Sequence, residues 1–148
     1  MIEFRTLGEL TGPQAYALFR LRVDVFVAEQ NCPYNELDDI DADPETRHVL
    51  AWGEDGALLA CGRVFPAGDG PHFGRFVVAP AARGTGLGHE LLGQAIDYTT
   101  RWEGDLVIEA QAGLVGYYNR FGFVEEGEEF LDTGVPHRRM RIRRGAGA

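Results

Sequence analysis

The stretch Phe76-Val77-Val78-Ala79-Pro80-Ala81-Ala82-Arg83-Gly84-Thr85-Gly86-Leu87-Gly88-His89-Glu90-Leu91-Leu92 decides the fold. Phe73 to Ala79 reads as a strand that runs into Pro80, a residue with no N–H to give a ladder. Beyond the glycines, Leu87, Leu91, Leu92, Ala95, Ile96 and Trp102 recur at helical spacing, so an amphipathic helix is expected from about Gly86 to Arg101. A glycine-rich turn between strand and helix leaves backbone N–H groups unpaired at the positive end of the helix dipole, where a phosphate is favoured. Glycines also let a ligand approach the main chain closely. Taken alone, the pattern fits an ordinary strand-to-helix turn as well. It is not a dinucleotide fingerprint, because His89 stands where the third glycine of G-x-G-x-x-G belongs and the first strand of the chain lies far upstream.

Upstream, Ile2 to Thr6 looks like a first strand, and Thr11-x-x-Gln14 with Pro13 just inside reads as a helix start. Ala15, Leu18, Phe19 and the Val23 to Val27 stretch give that helix an apolar face. The pattern then fails between Asn31 and Glu45, where Pro33, Pro44 and the acids Glu36, Asp38, Asp39, Asp41, Asp43 and Glu45 predict a long functional or solvated loop with a helical turn in it; the acids could attract a cationic acceptor, though such a run is usually just solvated. His48 to Gly53 and Ala57 to Phe65 flank Asp55-Gly56 as a hairpin. Downstream come a short strand at Leu106 to Glu109 and a short helix at Leu114 to Phe121. Strand pieces follow at Phe123 to Glu125 and Glu129 to Leu131, with an edge strand at Pro136 to Arg143. With no repeat or linker to divide it, the chain is expected to form a single domain over residues 1–148 of the mixed α/β class.

Composition narrows the chemistry. At 148 residues, 45% hydrophobic and 25% charged, the chain is of ordinary soluble type, and no apolar run approaches the roughly 20 residues of a membrane helix. The start Met1-Ile2-Glu3-Phe4-Arg5 is not a targeting sequence, so a cytoplasmic location is expected. Cys32 and Cys61 have neither metal spacing nor a disulfide pattern and suit a reducing compartment as buried thiols. A net charge of -9 opposes binding to nucleic acid or an anionic membrane and suits a cationic substrate. All 14 basic residues are arginine, and serine is absent too. Walker-type loops and Schiff-base enzymes need lysine, and most esterases need a serine nucleophile, so those classes drop out.

Arg83-x-x-Gly86-x-Gly88, preceded by Val78-Ala79-Pro80, resembles the acetyl-CoA motif of the GNAT N-acetyltransferases. Gln111 to Phe123 resembles the late segment of the same family, in which a tyrosine precedes a Gly-Phe pair by four residues. Glu29 to Tyr34, Arg47-His48, Glu109-Ala110-Gln111-Ala112 and Val135-Pro136-His137 are similar to the ElaA group, so the resemblance spans nearly the whole chain. It implies the acyl-CoA N-acyltransferase fold, a central, mostly antiparallel sheet flanked by helices. It also implies acetyl-CoA as co-substrate, an unidentified amine acceptor, no metal, and action as a monomer or homodimer. The implied cofactor-binding residues are Phe76, Val77, Val78, Arg83, Gly84, Thr85, Gly86, Leu87, Gly88, Gln111 and Asn119. Gln111 stands where many relatives have an asparagine on the pantetheine arm.

The resemblance makes Tyr118 the leading general acid. A phenol with pKa about 10 stays protonated at neutral pH and is close enough to a thiol, about 8.5, to give its proton to the leaving thiolate. The attacking amine needs the opposite help, since an ammonium near pKa 10.4 takes roughly 4.6 kcal/mol to deprotonate at pH 7. Glu29 lies just after the first helix, in the region that faces the acceptor in these enzymes, and is a candidate base or simply a solvated helix-end carboxylate. His48 and His137 are further candidates, with a hydrogen-bonded structural role as the alternative for each. A backbone N–H at the end of the Phe76 to Val78 strand is the implied oxyanion donor. The competing reading is a CoA-binding or interaction module without turnover. The run Arg138, Arg139, Arg141, Arg143 and Arg144 reads as an exposed edge strand rather than a nucleic-acid contact.

Overall fold

The computed structural model describes residues 1–29, 36–132 and 134–144. Strand β1 (Ile2–Arg5) leads to helix α1 (Gly12–Arg22). Thr11 starts that helix reciprocally: its Oγ1 accepts from the Gln14 N–H at 3.2 Å, and its own N–H donates to Gln14 Oε1 at 2.9 Å. The helix widens into a π-helical segment, Val23–Glu29, which carries Val25 and Phe26 into the core. Strands β2 (Arg47–Trp52), β3 (Leu58–Ala67) and β4 (Gly70–Val78) follow as antiparallel neighbours. Gly56, at φ 84, supplies the left-handed turn between β2 and β3 that the Asp55-Gly56 pair predicts. Then come α2 (Leu87–Tyr98), β5 (Leu106–Gln111), α3 (Val115–Asn119), β6 (Val124–Asp132) and β7 (Val135–Ile142).

All seven strands belong to one sheet of order β1-β2-β3-β4-β5-β7-β6. Each neighbouring pair is antiparallel except β4 and β5, which are parallel and in register at His72↔Val107. The expected mixed, mostly antiparallel sheet flanked by helices is what forms. Beyond His72 the β3–β4 register shifts between Cys61 and Arg63, and Arg75 adopts φ 50, a bulge in a non-glycine residue. Strands β4 and β5 pair at His72↔Val107, and no pair is formed further towards their C-terminal ends among the described residues. On one face, Leu91, Leu92 and Ala95 of α2 pack on Val49, Ala60, Phe73, Leu106, Ile108 and Met140. Leu18, Val25 and Phe26 cover Leu50, Cys61 and Val77 in a second apolar cluster. Full burial of a leucine such as Leu92 is worth about 1.5–3 kcal/mol, so packing rather than propensity holds α2 in place. No helix among the described residues is long and apolar enough to cross a membrane.

Three expectations are corrected. Strand β7 is interior, between β5 and β6, and the edge belongs to β6. Alternation shows that one face of a strand is buried, but it does not show whether both flanks are hydrogen-bonded. Arg138, Arg139, Arg141 and Arg144 are tied to neighbouring elements: to the Gly127 carbonyl, to Asp69 and Glu126, to Glu126 and Asp105, and to Asp105 with Thr99. Second, β6 is one strand rather than two pieces, bridged across its acidic middle by a bulge at Gly127, φ 73.

The third correction concerns the acidic run, which is not simply solvated. Glu36 and Asp41 are buried with Arg22, which donates from Nε to Glu36 Oε2 at 2.6 Å and from Nη1 to Asp41 Oδ1 at 2.7 Å. Arg63 bridges Asp38 and Asp41 at 2.6 and 2.9 Å, and Arg75 reaches Glu36 at 3.1 Å. Burial pushes the Asp41 carboxyl up, but hydrogen bonds and charge from Arg22, with help from Arg63, outweigh it and hold the group below its ordinary value. Glu36 lies above its ordinary value because burial prevails over Arg22 there. The cluster fastens α1 and the 36–42 segment to β3 and β4. Cys61 lies fully buried against it, its thiol pushed up to about 12 by burial and therefore inert, while Cys32 falls outside the described residues.

Candidate active site

Strand β4 ends at Val78, and a short turn at Pro80–Ala82 delivers the chain to the glycine loop. Gly84 and Gly86 sit at φ 79 and 86, a left-handed conformation that glycine alone takes without strain. Gly86 caps α2 with no side-chain hydrogen bond, and the first intrahelical bond runs from the Glu90 N–H to Gly86 O at 3.1 Å. The N–H groups of residues 87 to 89 therefore precede the helical ladder at the positive end of a 12-residue helix. Gly88 has a packing reason instead: a Cβ there would meet Val78 Cγ2 at 2.8 Å and Phe76 Cζ at 3.3 Å, so its absence lets α2 lie against β4. Thr85 turns inward, its hydroxyl donating to Ala82 O at 2.5 Å, and Leu87 packs on the core.

Two cavities meet where β4 and β5 part. One, of about 540 Å³, is lined by the end of β4, Arg83, Gly84, Gly86, Gly88 and Tyr117. The other, of about 400 Å³, lies over β4, β5 and the β6–β7 hairpin, with Arg63, His72, Arg75, Glu109, Gln111 and His137 in its wall. Phe76, Leu114 and Tyr118 line both. Tyr118 stands at that junction because α3 begins soon after β5 ends; its ring packs edge-on against Phe123 at 5.8 Å and Tyr117 at 5.5 Å. Tyr118 is 7% exposed, and burial raises its phenol above the ordinary tyrosine value, which keeps it protonated at any working pH and also moves it away from the acidity of a thiol.

The remaining candidate residues divide sharply. Glu29 lies in the wall of the larger cavity, not on the side of Glu109 and His137, and pairs with Arg83 at 3.0 Å. Arg83 also donates from Nε to Val78 O at 3.0 Å, so the pair closes one end of the glycine loop over the last residue of β4. Gln111 opens into the smaller cavity. Asn119 lines neither cavity: its amide donates to Phe123 O at 2.9 Å and to Glu125 Oε1 at 2.7 Å, binding α3 to β6. His48 is fully buried, its Nε2 3.0 Å from Asp41 O and its ring edge-on to Phe19, and burial lowers its basicity. It lines neither cavity, and a core imidazole cannot exchange a proton with a diffusing amine. The structural alternative stated for it is the one the geometry favours. His137 lies in the smaller cavity. Sequence reading passed over His72, Glu109, Asp132, Arg63 and Arg75 in that wall; the signal for Glu109 is a carboxylate set into the otherwise apolar run Leu106 to Ala110.

A family model described as Acetyltransferase (GNAT) domain matches residues 21–144. The chain belongs to the GNAT acetyltransferase family. Protein ElaA of Escherichia coli is 38% identical over 144 residues, covering 93% of this chain and 94% of ElaA. The crystal structure of E. coli ElaA superposes with a TM-score of 0.89 at 34% identity, covering 97% of this chain and 99% of that one. An acyl-CoA N-acyltransferase from Pseudomonas aeruginosa gives a TM-score of 0.88 at 39% identity, over 95% and 98% of the two chains. Proteins of the GNAT fold bind acetyl-CoA, and the larger cavity has the features such a ligand needs. Those features are the left-handed glycines at 84 and 86 and the N-terminus of α2, with backbone N–H groups that precede the helical ladder.

Proposed function

We propose that this GNAT protein transfers an acetyl group from acetyl-CoA to a primary amine by direct attack, with Tyr118 as general acid. The observation that carries the reading is that Tyr118 lines both cavities, the place where a thiolate leaving one and an amine entering the other would meet. Acetyl-CoA supplies the activated acyl group. Backbone N–H groups of residues 84 to 88 hold its diphosphate, and Phe76, Val77 and Val78 run beside the arm that carries the thioester. A main-chain N–H at the end of β4, beyond the His72↔Val107 pair with β5, faces the carbonyl oxygen as charge develops on it. Tyr118 gives its hydroxyl proton to the departing sulfur; burial raises the phenol, so its position at the junction of the cavities, rather than its acidity, is what supports the role. The cavity on the other side, about 400 Å³, has the size of a small-molecule site and presents Glu109 to an ammonium. The whole chain acts as one domain, since β1 and β6 are the two edges of the same sheet.

The test is thiol release from acetyl-CoA over a panel of small primary amines, with Tyr118→Phe beside the wild type. Loss of the general acid should lower kcat by about 100-fold or more and leave coenzyme A affinity unchanged. Equal turnover in the two proteins would reject the role of Tyr118. Coenzyme A bound without turnover of any amine would instead favour a CoA-binding module.

A further inference from the structure

We infer that His137 is the general base that receives the proton from the acceptor ammonium, with Nε2 turned to the smaller cavity. The inference rests on the amine-acetylating reading above. His137 is 5% exposed, and Nδ1 lies 2.7 Å from Val135 O, two residues back on the same strand. A carbonyl can only accept, so Nδ1 carries the hydrogen and Nε2 keeps the lone pair. Phe130 of β6 stacks on the ring at 6.0 Å and fixes its plane. Nε2 makes no hydrogen bond among the described residues, and His137 contributes to the cavity wall.

Position along the sheet separates His137 from the other imidazole in that wall. His72 sits at the closed end, where β4 and β5 are still in register, and its Nε2 is held by Asp69 at 2.8 Å. His137 pairs with Gln111, the last residue of β5, four positions beyond Val107 and immediately before the segment that carries Tyr118. Other charged groups reach the same cavity from every side: Glu109 from β5, Asp132 from β6, Arg63 from β3 and Arg75 from β4. Arg63 and Arg75 are engaged by Asp38, Asp41 and Glu36. A carboxylate such as Glu109 draws the ammonium in, and the imidazole Nε2 lone pair is the acceptor for its proton.

The protons balance. His137 Nε2 takes the first from R–NH3⁺, and the freed nitrogen pair forms the C–N bond at the thioester carbon. As the C–S bond breaks, Tyr118 gives its proton to sulfur. Tyr118 then recovers a proton from the nitrogen, leaving the neutral amide, and His137 returns its own to solvent.

Two measurements test this. Long-range 15N–1H correlation of the histidine rings, with His137→Gln to assign the resonance, should find neutral His137 protonated on Nδ1; protonation on Nε2 overturns the inference. In thiol release with the amine best used by the wild type, His137→Gln and His137→Asn should each cut kcat/KM by about 100-fold or more at neutral pH. The deficit should shrink as the pH approaches the pKa of the amine. Asparagine retains an N–H in the place of Nδ1–H, so a purely structural role predicts that it rescues activity, and it predicts a deficit independent of pH; either result refutes the base. Absence of turnover by the wild type with every amine would remove the acetyl-transfer reading, and the ring-nitrogen measurement would still decide the tautomer.

Discussion

Gly88→Ala is the sharpest perturbation of the α2–β4 contact. The added Cβ would stand 2.8 Å from Val78 Cγ2 and 3.3 Å from Phe76 Cζ, against the 3.5–4.0 Å at which carbon atoms rest. Relief requires α2 to slide outward by roughly 1 Å or Val78 to leave its rotamer, and overpacking of this kind costs about 1–3 kcal/mol. For a chain of this length, that is a fall of about 2–4 °C in Tm per kcal/mol. The same displacement carries the N–H groups of residues 87 to 89 off their line, so coenzyme A affinity should drop along with stability. The double variant Gly88→Ala, Val78→Ala removes the opposing methyl, and its stability should exceed the sum of the two single effects by about 1 kcal/mol or more. Urea unfolding and calorimetric titration with coenzyme A measure both quantities. A Gly88→Ala protein of wild-type stability and affinity would refute the claim that the absent Cβ sets the seat of the helix.

Arg22→Ala leaves Glu36 and Asp41 buried without their central cation and should cost about 3–5 kcal/mol, read from the urea midpoint; a loss below about 1 kcal/mol would mean that Arg63 and Arg75 suffice. Acid should loosen the same cluster. Asp41 is held below its ordinary value, so its contribution is present above the unfolded pKa near 3.9 and disappears as the pH falls through the lower folded value. Glu36, raised by burial, acts in the opposite sense just above its ordinary value. Asp41→Asn should flatten the acid limb of the stability curve between about pH 4 and the onset of acid unfolding, and an unchanged slope would place the acid sensitivity elsewhere.

What was legible in the sequence is what neighbouring residues decide among themselves. Thr11 and Gln14 bond each other across three residues, Gly56 turns a hairpin its own backbone requires, and the leucines of α2 mark one face by spacing alone. The glycine loop could be read for the same reason, because its left-handed residues and the helix they open are contiguous. The acids from Glu36 to Asp41 could not, since burial there depends on Arg22, Arg63 and Arg75, residues 14 to 39 positions away from Glu36 or as distant from Asp38 and Asp41. His48 and Glu29 were placed by neighbourhood in the chain. Strand pairing sent the first into the core beside Asp41 and an arginine 54 positions downstream drew the second to the glycine loop. The position of β7 was invisible because an inserted strand order leaves no mark on local alternation.

The arginine cluster beside the smaller cavity has a chemical consequence. Arg63 and Arg75, paired with Asp38, Asp41 and Glu36, stand in the wall of a chamber where, in the proposed reaction, an amine would meet an activated acyl group. A guanidinium keeps its proton at every pH the protein meets, so its nitrogen pairs are delocalised and poor at attacking carbon. A lysine at either position would set a rival nucleophile on a four-carbon tether within reach of the guest's own nitrogen. With arginine in place of lysine, these two positions hold their carboxylate partners and stay chemically silent, and neither offers a primary amine to compete with the acceptor in the proposed reaction.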